Sequence, residues 1–159
     1  FIASRPKIFS KARAIGFGAA PVTISGAMEE LEGDGVMLVG EAAGHVIPLT
    51  GGGIHSAMAS GRAAGEVAAE ALAEEDVSKR RLMEYVRRFE ENWGRRIRDS
   101  LRALKVLEKL GDEDLNLLAE ALDPRDIVDL ANGYDVLRVA RKLLKHPALA
   151  AKVAKALMA

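Results

Sequence analysis

The stretch from Gly33 to Ala64 constrains this chain most, because it passes from an apolar run through a glycine-dense loop into a helix of small residues. Val36-Met37-Leu38-Val39 is too short for a helix, carries two β-branched side chains and sits between Gly35 and Gly40. That pattern predicts a buried β-strand. The loop from Gly40 to Gly53 holds five glycines and Pro48. Beyond it, Ala and Gly dominate up to about residue 75, with helical character. A strand, a glycine loop and a small-residue helix form a setting suited to a nucleotide or cofactor. Glycines let backbone approach the ligand closely, and free N–H groups at a helix start supply positive potential.

The same residues carry a family resemblance. Gly40-Glu41-Ala42-Ala43-Gly44-His45, followed by Pro48-Leu49-Thr50-Gly51-Gly52-Gly53-Ile54, resembles the second FAD-binding motif of the flavin monooxygenase-like superfamily. In its H-V-x-P-L-T-G-G-G-I form it is most similar to the geranylgeranyl reductases, including the archaeal enzymes that saturate the isoprenoid chains of ether lipids. The core of the match spans about thirty residues. Weaker similarity reaches upstream through Pro21-Val22-Thr23.

The resemblance implies an α/β fold, with the C-terminal fragment of a FAD-binding domain (Rossmann-like, glutathione-reductase type) followed by a mostly α-helical region. It assigns 1–25 to the end of a substrate-binding sheet and connector, 26–75 to the FAD domain and 76–159 to the helical region. It also implies FAD as cofactor, contacted by Glu41, Ala42, Gly44, Pro48, Gly51, Gly52, Gly53, Ile54 and His55. Glu41 stands where the superfamily has Asp, whose carboxylate accepts from a ribityl hydroxyl. The extra methylene displaces that carboxylate by roughly 1.5 Å. On the family pattern the N–H groups of Gly53, Ile54 and His55 face the N1/O2 edge of the flavin, and Pro48 lies beside the ring. The glycine-rich motif that would hold the ADP half of FAD is absent here, so the resemblance places it upstream of Phe1.

The implied reaction is reduction of isolated C=C bonds in geranylgeranyl chains. Its electrons would come from reduced ferredoxin or a nicotinamide nucleotide, and no residue here is identified as catalytic proton donor. Two alternatives use the same residues: a flavin hydroxylase or other FAD oxidoreductase, and a helical interaction module with a vestigial flavin motif.

Composition narrows the classes further. Lys and Arg total 23, matching 23 Asp and Glu, so no bulk charge points to nucleic acid. The absence of cysteine excludes disulfide and thiolate chemistry in this chain. With three histidines and no cysteine, His45 is an improbable metal ligand, and no metal site is expected. The expected role of His45 is packing on the cofactor or hydrogen bonding to a carbonyl. No apolar run approaches the roughly 18 residues that span a bilayer. The expected location is cytoplasmic, with peripheral membrane contact as an alternative.

Outside the motif, two short strands are expected around Ala14–Gly18 and Pro21–Ile24, and Gly26–Asp34 reads as an acidic connector. Gly61 and Gly65 share a helix face on which a sheet could pack closely. Residues 78–110 show the clearest periodicity, with Ser78 as N-cap and Leu82, Val86, Phe89, Trp93, Ile97, Leu101, Leu104 and Leu107 on one stripe. Gly94 marks a weak point in that helix. The Arg95, Arg96 and Arg98 cluster reads either as a solvated face or as a receiver for a phosphate headgroup. Asp112 and Asp123-Pro124 open two further helices, Asn132-Gly133 closes the second, and Tyr134–Lys145 and Ala148–Met158 follow. The last of these is modestly amphipathic, suited to covering the core or to contacting a partner or membrane surface.

Overall fold

The computed structural model describes residues 1–143 and 145–158. Leu144, inside one expected helix, lies outside the described residues, as do several side chains near it. Among the described residues the chain is mostly helical with a single small hairpin. In order it forms α1 (Pro6–Phe9), β1 (Glu32–Gly33), β2 (Val36–Met37), a 3₁₀ turn (Gly40–Ala43) and α2 (Ile54–Ala73). Next come α3 (Lys79–Phe89), a π-helical turn (Glu90–Gly94) and α4 (Arg95–Leu107). Then α5 (Asp112–Ala121), α6 (Pro124–Ala131), α7 (Val136–Leu143) and α8 (Pro147–Met158) complete the chain.

The expected strand at 36–39 is corrected in length, partner and burial. Only Val36 and Met37 pair, antiparallel to Glu32–Gly33, with Gly33 opposite Val36. Gly35, at φ +71°, makes the tight reversal. Leu38 N–H donates to the Leu31 carbonyl at 2.8 Å. Val36 is 52% exposed, so this is a surface hairpin and not a strand buried on both faces. The acidic connector supplies its first strand. No strand forms at 14–18 or 21–24; Ile15 and Phe17 lie almost fully in solvent.

The core is a helix pair capped by the glycine loop. α2 presents Ala64, Val67 and Ala71 to Leu82, Tyr85 and Phe89 of α3, and Leu31, Ala43 and Ile47 close the top. Their spacing on each helix follows the three- and four-residue steps of one face. The Tyr85 hydroxyl donates to the Leu38 carbonyl at 2.7 Å, tying α3 to the hairpin, and burial pushes its pKa up to about 12. Gly61 and Gly65 do not pack on anything: a Cβ at either would meet open space.

The break expected at Gly94 is present as the π turn, where a Cβ would overlap the folded-back Glu90 carboxylate. An inserted residue rotates the following helix face. Ile97, Ser100, Ala103 and Val106 are the buried positions of α4, while Leu101, Leu104 and Leu107 are half-buried. Ser78 caps α3, accepting from Arg81 N–H at 3.3 Å. Asp123 caps α6 by accepting from Asp126 N–H at 3.0 Å, and Asp126 returns the bond to Asp123 N–H at 3.0 Å. Asp112 is not a cap; the Asp114 carboxylate accepts from Gly111 N–H at 3.3 Å instead. Arg138 and Lys142 of α7 reach back to Asp126, Lys142 also holds Asp123 at 2.7 Å, and Lys152 of α8 holds Asp114 at 2.7 Å. No described helix is long and apolar enough to cross a membrane.

Candidate functional site

The glycine loop is held in place by backbone geometry and by three serines. Gly40, Gly44 and Gly51 have φ of +63°, +69° and +67°, values that side-chain-bearing residues rarely adopt. At Gly44 the constraint is also steric, because a Cβ would overlap the Gly26 carbonyl oxygen and crowd Ala27 Cα at 3.0 Å. Ser60 Oγ accepts from Gly40 N–H at 3.0 Å. Ser56 Oγ donates to the His45 carbonyl, and Ser100 Oγ of α4 accepts from Leu49 N–H at 3.1 Å. Sequence reasoning did not single out these serines. Ser56 and Ser60, four residues apart and in register with Ala64 and Val67, carried the available signal.

The loop delivers its expected ligand contacts to two different places. Glu41, Ala42, Gly51, Ile54 and His55 are exposed, and Gly52 and Gly53 half-exposed. Gly44 and Pro48 are buried by the chain itself. One Glu41 carboxylate oxygen accepts from Thr23 N–H at 3.2 Å, which brings the upstream Pro21–Thr23 segment onto the loop. A Cβ at Gly51 would meet nothing closer than Val22 Cγ1 at 3.9 Å, so space is open above it.

α2 begins without a side-chain cap. Gly53 occupies the N-cap position and no acidic residue lies in the first turn. Gly51 N–H donates to the Ile47 carbonyl at 2.9 Å and Gly52 N–H to Thr50 Oγ1 at 3.2 Å. For Gly53, Ile54 and His55, in contrast, no acceptor is found among the described residues. The first N–H groups of a helix have no intrahelical partner, and together with the helix dipole they favour an acceptor carrying negative charge. The His55 ring sits edge-on to Trp93 at 4.9 Å, and Arg96 lies between the faces of Trp93 and Tyr134 at 3.9 and 4.0 Å. This stack links the start of α2 to the π turn and to the α6–α7 connection.

His45 departs from expectation. Its ring is fully buried, stacked on Phe89 with centroids 3.8 Å apart, and neither ring nitrogen has a hydrogen-bond partner. It therefore makes no carbonyl hydrogen bond, and it does not reach the open side of the loop. Burial lowers its pKa to about 4, against a smaller opposing pull from Glu90, so the imidazole is neutral at ordinary pH. No group of three or more metal-ligating side chains occurs among the described residues.

No protein-family model matches the chain. Among curated proteins it is 46% identical over 137 residues to digeranylgeranylglycerophospholipid reductase 2 of Methanopyrus kandleri, covering 86% of this chain and 35% of that protein. It is 41% identical over 133 residues to the digeranylgeranylglycerophospholipid reductase of Methanocaldococcus jannaschii, covering 83% and 32%. A third relative, digeranylgeranylglycerophospholipid reductase 2 of Methanothermobacter thermautotrophicus, is 40% identical over 127 residues, covering 80% and 33%. The chain thus spans about a third of the length of the curated relatives it matches, in their C-terminal part.

Proposed function

We propose that the chain is the counterpart of the C-terminal part of the archaeal digeranylgeranylglycerophospholipid reductases it matches, and that it serves FAD-dependent reduction of C=C bonds in geranylgeranyl chains of archaeal lipids. The observation that carries the cofactor reading is the start of α2. Three successive N–H groups, of Gly53, Ile54 and His55, meet no acceptor there, and the adjoining loop is open above Gly51. A flavin fits that arrangement, since its N1/O2 edge becomes negative on reduction and would lie against N–H donors that need no side-chain movement. Glu41 has a second carboxylate oxygen to offer a ribityl hydroxyl while the first holds Thr23. Gly51 and Gly52 would let the backbone approach the ring.

When bound, FAD would supply hydride for the double bond, and the protein supplies orientation and electrostatics. The residues here would hold negative charge at one edge of the ring, through N–H groups that the loop and the three serines keep in position. The electrons for the flavin would come from reduced ferredoxin or a nicotinamide nucleotide.

A Rossmann-like setting for α2 is supported by its outward face. Ile54, Met58 and Leu72 are 81%, 72% and 68% exposed and flank the open positions Gly61 and Gly65. All five fall on one side of the helix, the side that a sheet would cover in a FAD domain. The proposal is tested by the absorption spectrum of the purified full-length protein, followed by incubation of the reduced protein with geranylgeranyl phospholipid. Bound oxidised flavin and mass gains of two hydrogens per bond are expected. A protein that stays colourless after FAD is added would overturn the proposal.

A further inference from the structure

The arginine cluster of α4 lies beside an apolar groove that the flavin reading leaves unused. The groove has a volume of about 720 Å³ and runs between α4 and the C-terminal helices. Its apolar walls include Ala103 and Val106 from α4, Leu110 from the turn after it, Leu118 from α5 and Val153 from α8. At the end nearer the π turn its rim carries Arg95, Arg98 and Arg102, on positions that share one side of α4. From Arg95 to Leu107, both of which line the groove, α4 runs roughly 18 Å at 1.5 Å per residue, long enough for an extended chain and not only for a compact ligand. The volume lies within the range of true ligand sites, about 300–1,000 Å³.

The charges at the rim are only partly neutralised within the protein. Asp99 is shared by Arg95 at 3.4 Å and Arg102 at 3.1 Å, and Glu90 pairs with Arg98. Three guanidinium groups thus meet two carboxylates, and Arg98 and Arg102 remain 54% and 66% exposed. A guanidinium has five donors, so each can hold its carboxylate and still present N–H groups to a phosphate. A cationic rim at one end and an apolar trough along the rest match a ligand with an anionic head and a long apolar chain.

We propose that this groove is a lipid site: it holds an isoprenoid chain against Ala103, Val106, Leu110 and Leu118, with the phosphate headgroup on Arg98 and Arg102. The isoprenoid nature of the chain rests on the reductase reading; the anionic head and chain length rest on the groove. The site is separate from the start of α2 and would hold substrate or product by its headgroup before or after the reaction.

The test is photolabelling of the full-length protein with geranylgeranyl monophosphate carrying a diazirine in the chain, followed by peptide mapping. Labels are expected within residues 99–110 and 139–153. Reversing the exposed rim charges in the double variant Arg98→Glu/Arg102→Glu should lower that labelling by about tenfold, the scale of lost charge-assisted hydrogen bonds. Diazirine-bearing geranylgeraniol, which lacks the phosphate, should label these peptides about tenfold less. Labels found only elsewhere, labelling unchanged in the double variant, or equal labelling by the alcohol would each overturn the proposal. Flavin absorbance recorded on the same samples separates the two readings. A yellow protein without groove labelling removes only the lipid site, and a colourless protein with groove labelling removes only the flavin reading.

Discussion

The starts of α2 and α6 are two solutions to one problem. Both helices open with N–H groups that lack intrahelical acceptors. At α6 the chain closes that gap itself: Asp123 and Asp126 exchange two 3.0 Å bonds, Pro124 removes one donor, and Lys142 neutralises the carboxylates. At α2 nothing closes it. Gly53 has no side chain to offer, the first turn has no acid, and Ile54 faces solvent. With glycine at the N-cap, the missing side-chain cap costs about a few tenths of a kcal/mol. The loop before α2 is meanwhile fastened by Ser56, Ser60 and Ser100, so looseness does not explain the open terminus. A helix that serves as scaffold satisfies its own donors, whereas α2 keeps them available on a rigid support.

The strongest way to break this comparison is to remove the support. Gly44→Val puts a β-branched side chain at φ +69° and into the Gly26 backbone. We expect a loss of about 3 kcal/mol or more in unfolding free energy, from backbone strain and overpacking together, with flavin binding lost as a consequence. Chemical denaturation followed by circular dichroism checks it. Unchanged stability would mean that the loop is not the rigid platform described above.

A smaller effect is expected at the link between the two regions. Arg96 stacks between Trp93 and Tyr134, and its Nε donates to the Asn132 carbonyl at 3.2 Å. Arg96→Ala should cost about 1–2 kcal/mol, the range for partly desolvated cation–π contacts. Hydrogen exchange should show faster opening across α6 and α7 while the amides of α2 keep their protection. Equal loosening of both would show that the regions are not mechanically distinct.

His45 gives the smallest effect at neutral pH and a distinctive one in acid. With both ring nitrogens unpartnered, His45→Leu removes no hydrogen bond and should change stability at pH 7 by less than about 1 kcal/mol. The folded pKa is about 4, against about 6.5 for an unfolded histidine, so the folded state binds fewer protons in between. The stability due to this group is therefore present above pH 6.5 and is lost as pH falls to about 4. His45→Leu should flatten the stability–pH curve across that window. An unaltered slope in denaturation series would contradict the burial-driven shift.

How much of this was legible in the sequence follows the same division. The glycine loop, the start of α2, the Ser78 and Asp123 caps and the break at Gly94 each depend on a local rule, and each is where the residues put it. The strand at 36–39 was not legible in full. An apolar run of four residues does not specify its neighbours, and here the available partner is Glu32–Gly33, which pairs with only two of them. The periodic stripe of 78–110 holds at Leu82, Phe89 and Ile97, but Tyr85 is buried in place of Val86, and Ser100, Ala103 and Val106 in place of Leu101, Leu104 and Leu107, because apolar side chains at neighbouring positions leave the face undecided in the sequence. His45 was expected to pack on the cofactor or bond a carbonyl; it stacks on Phe89 instead, a neighbour too far along the chain for the loop sequence to indicate. The arginine cluster could be read from sequence as a face, but the groove beside it depends on five helices meeting.

The central claim, that α2 keeps its first N–H groups open for a flavin, is tested most directly by Ile54→Asp in the full-length protein, with thermal midpoint and flavin absorbance measured together. Ile54 is 81% exposed, so its removal sacrifices little packing. An acid in the first turn should raise helix stability by about 0.3–1 kcal/mol through the dipole. The account predicts an equal or higher thermal midpoint with flavin lost or held far more weakly, because the new carboxylate occupies or repels the flavin's anionic edge. Full flavin retention with an unchanged reduction potential would contradict it.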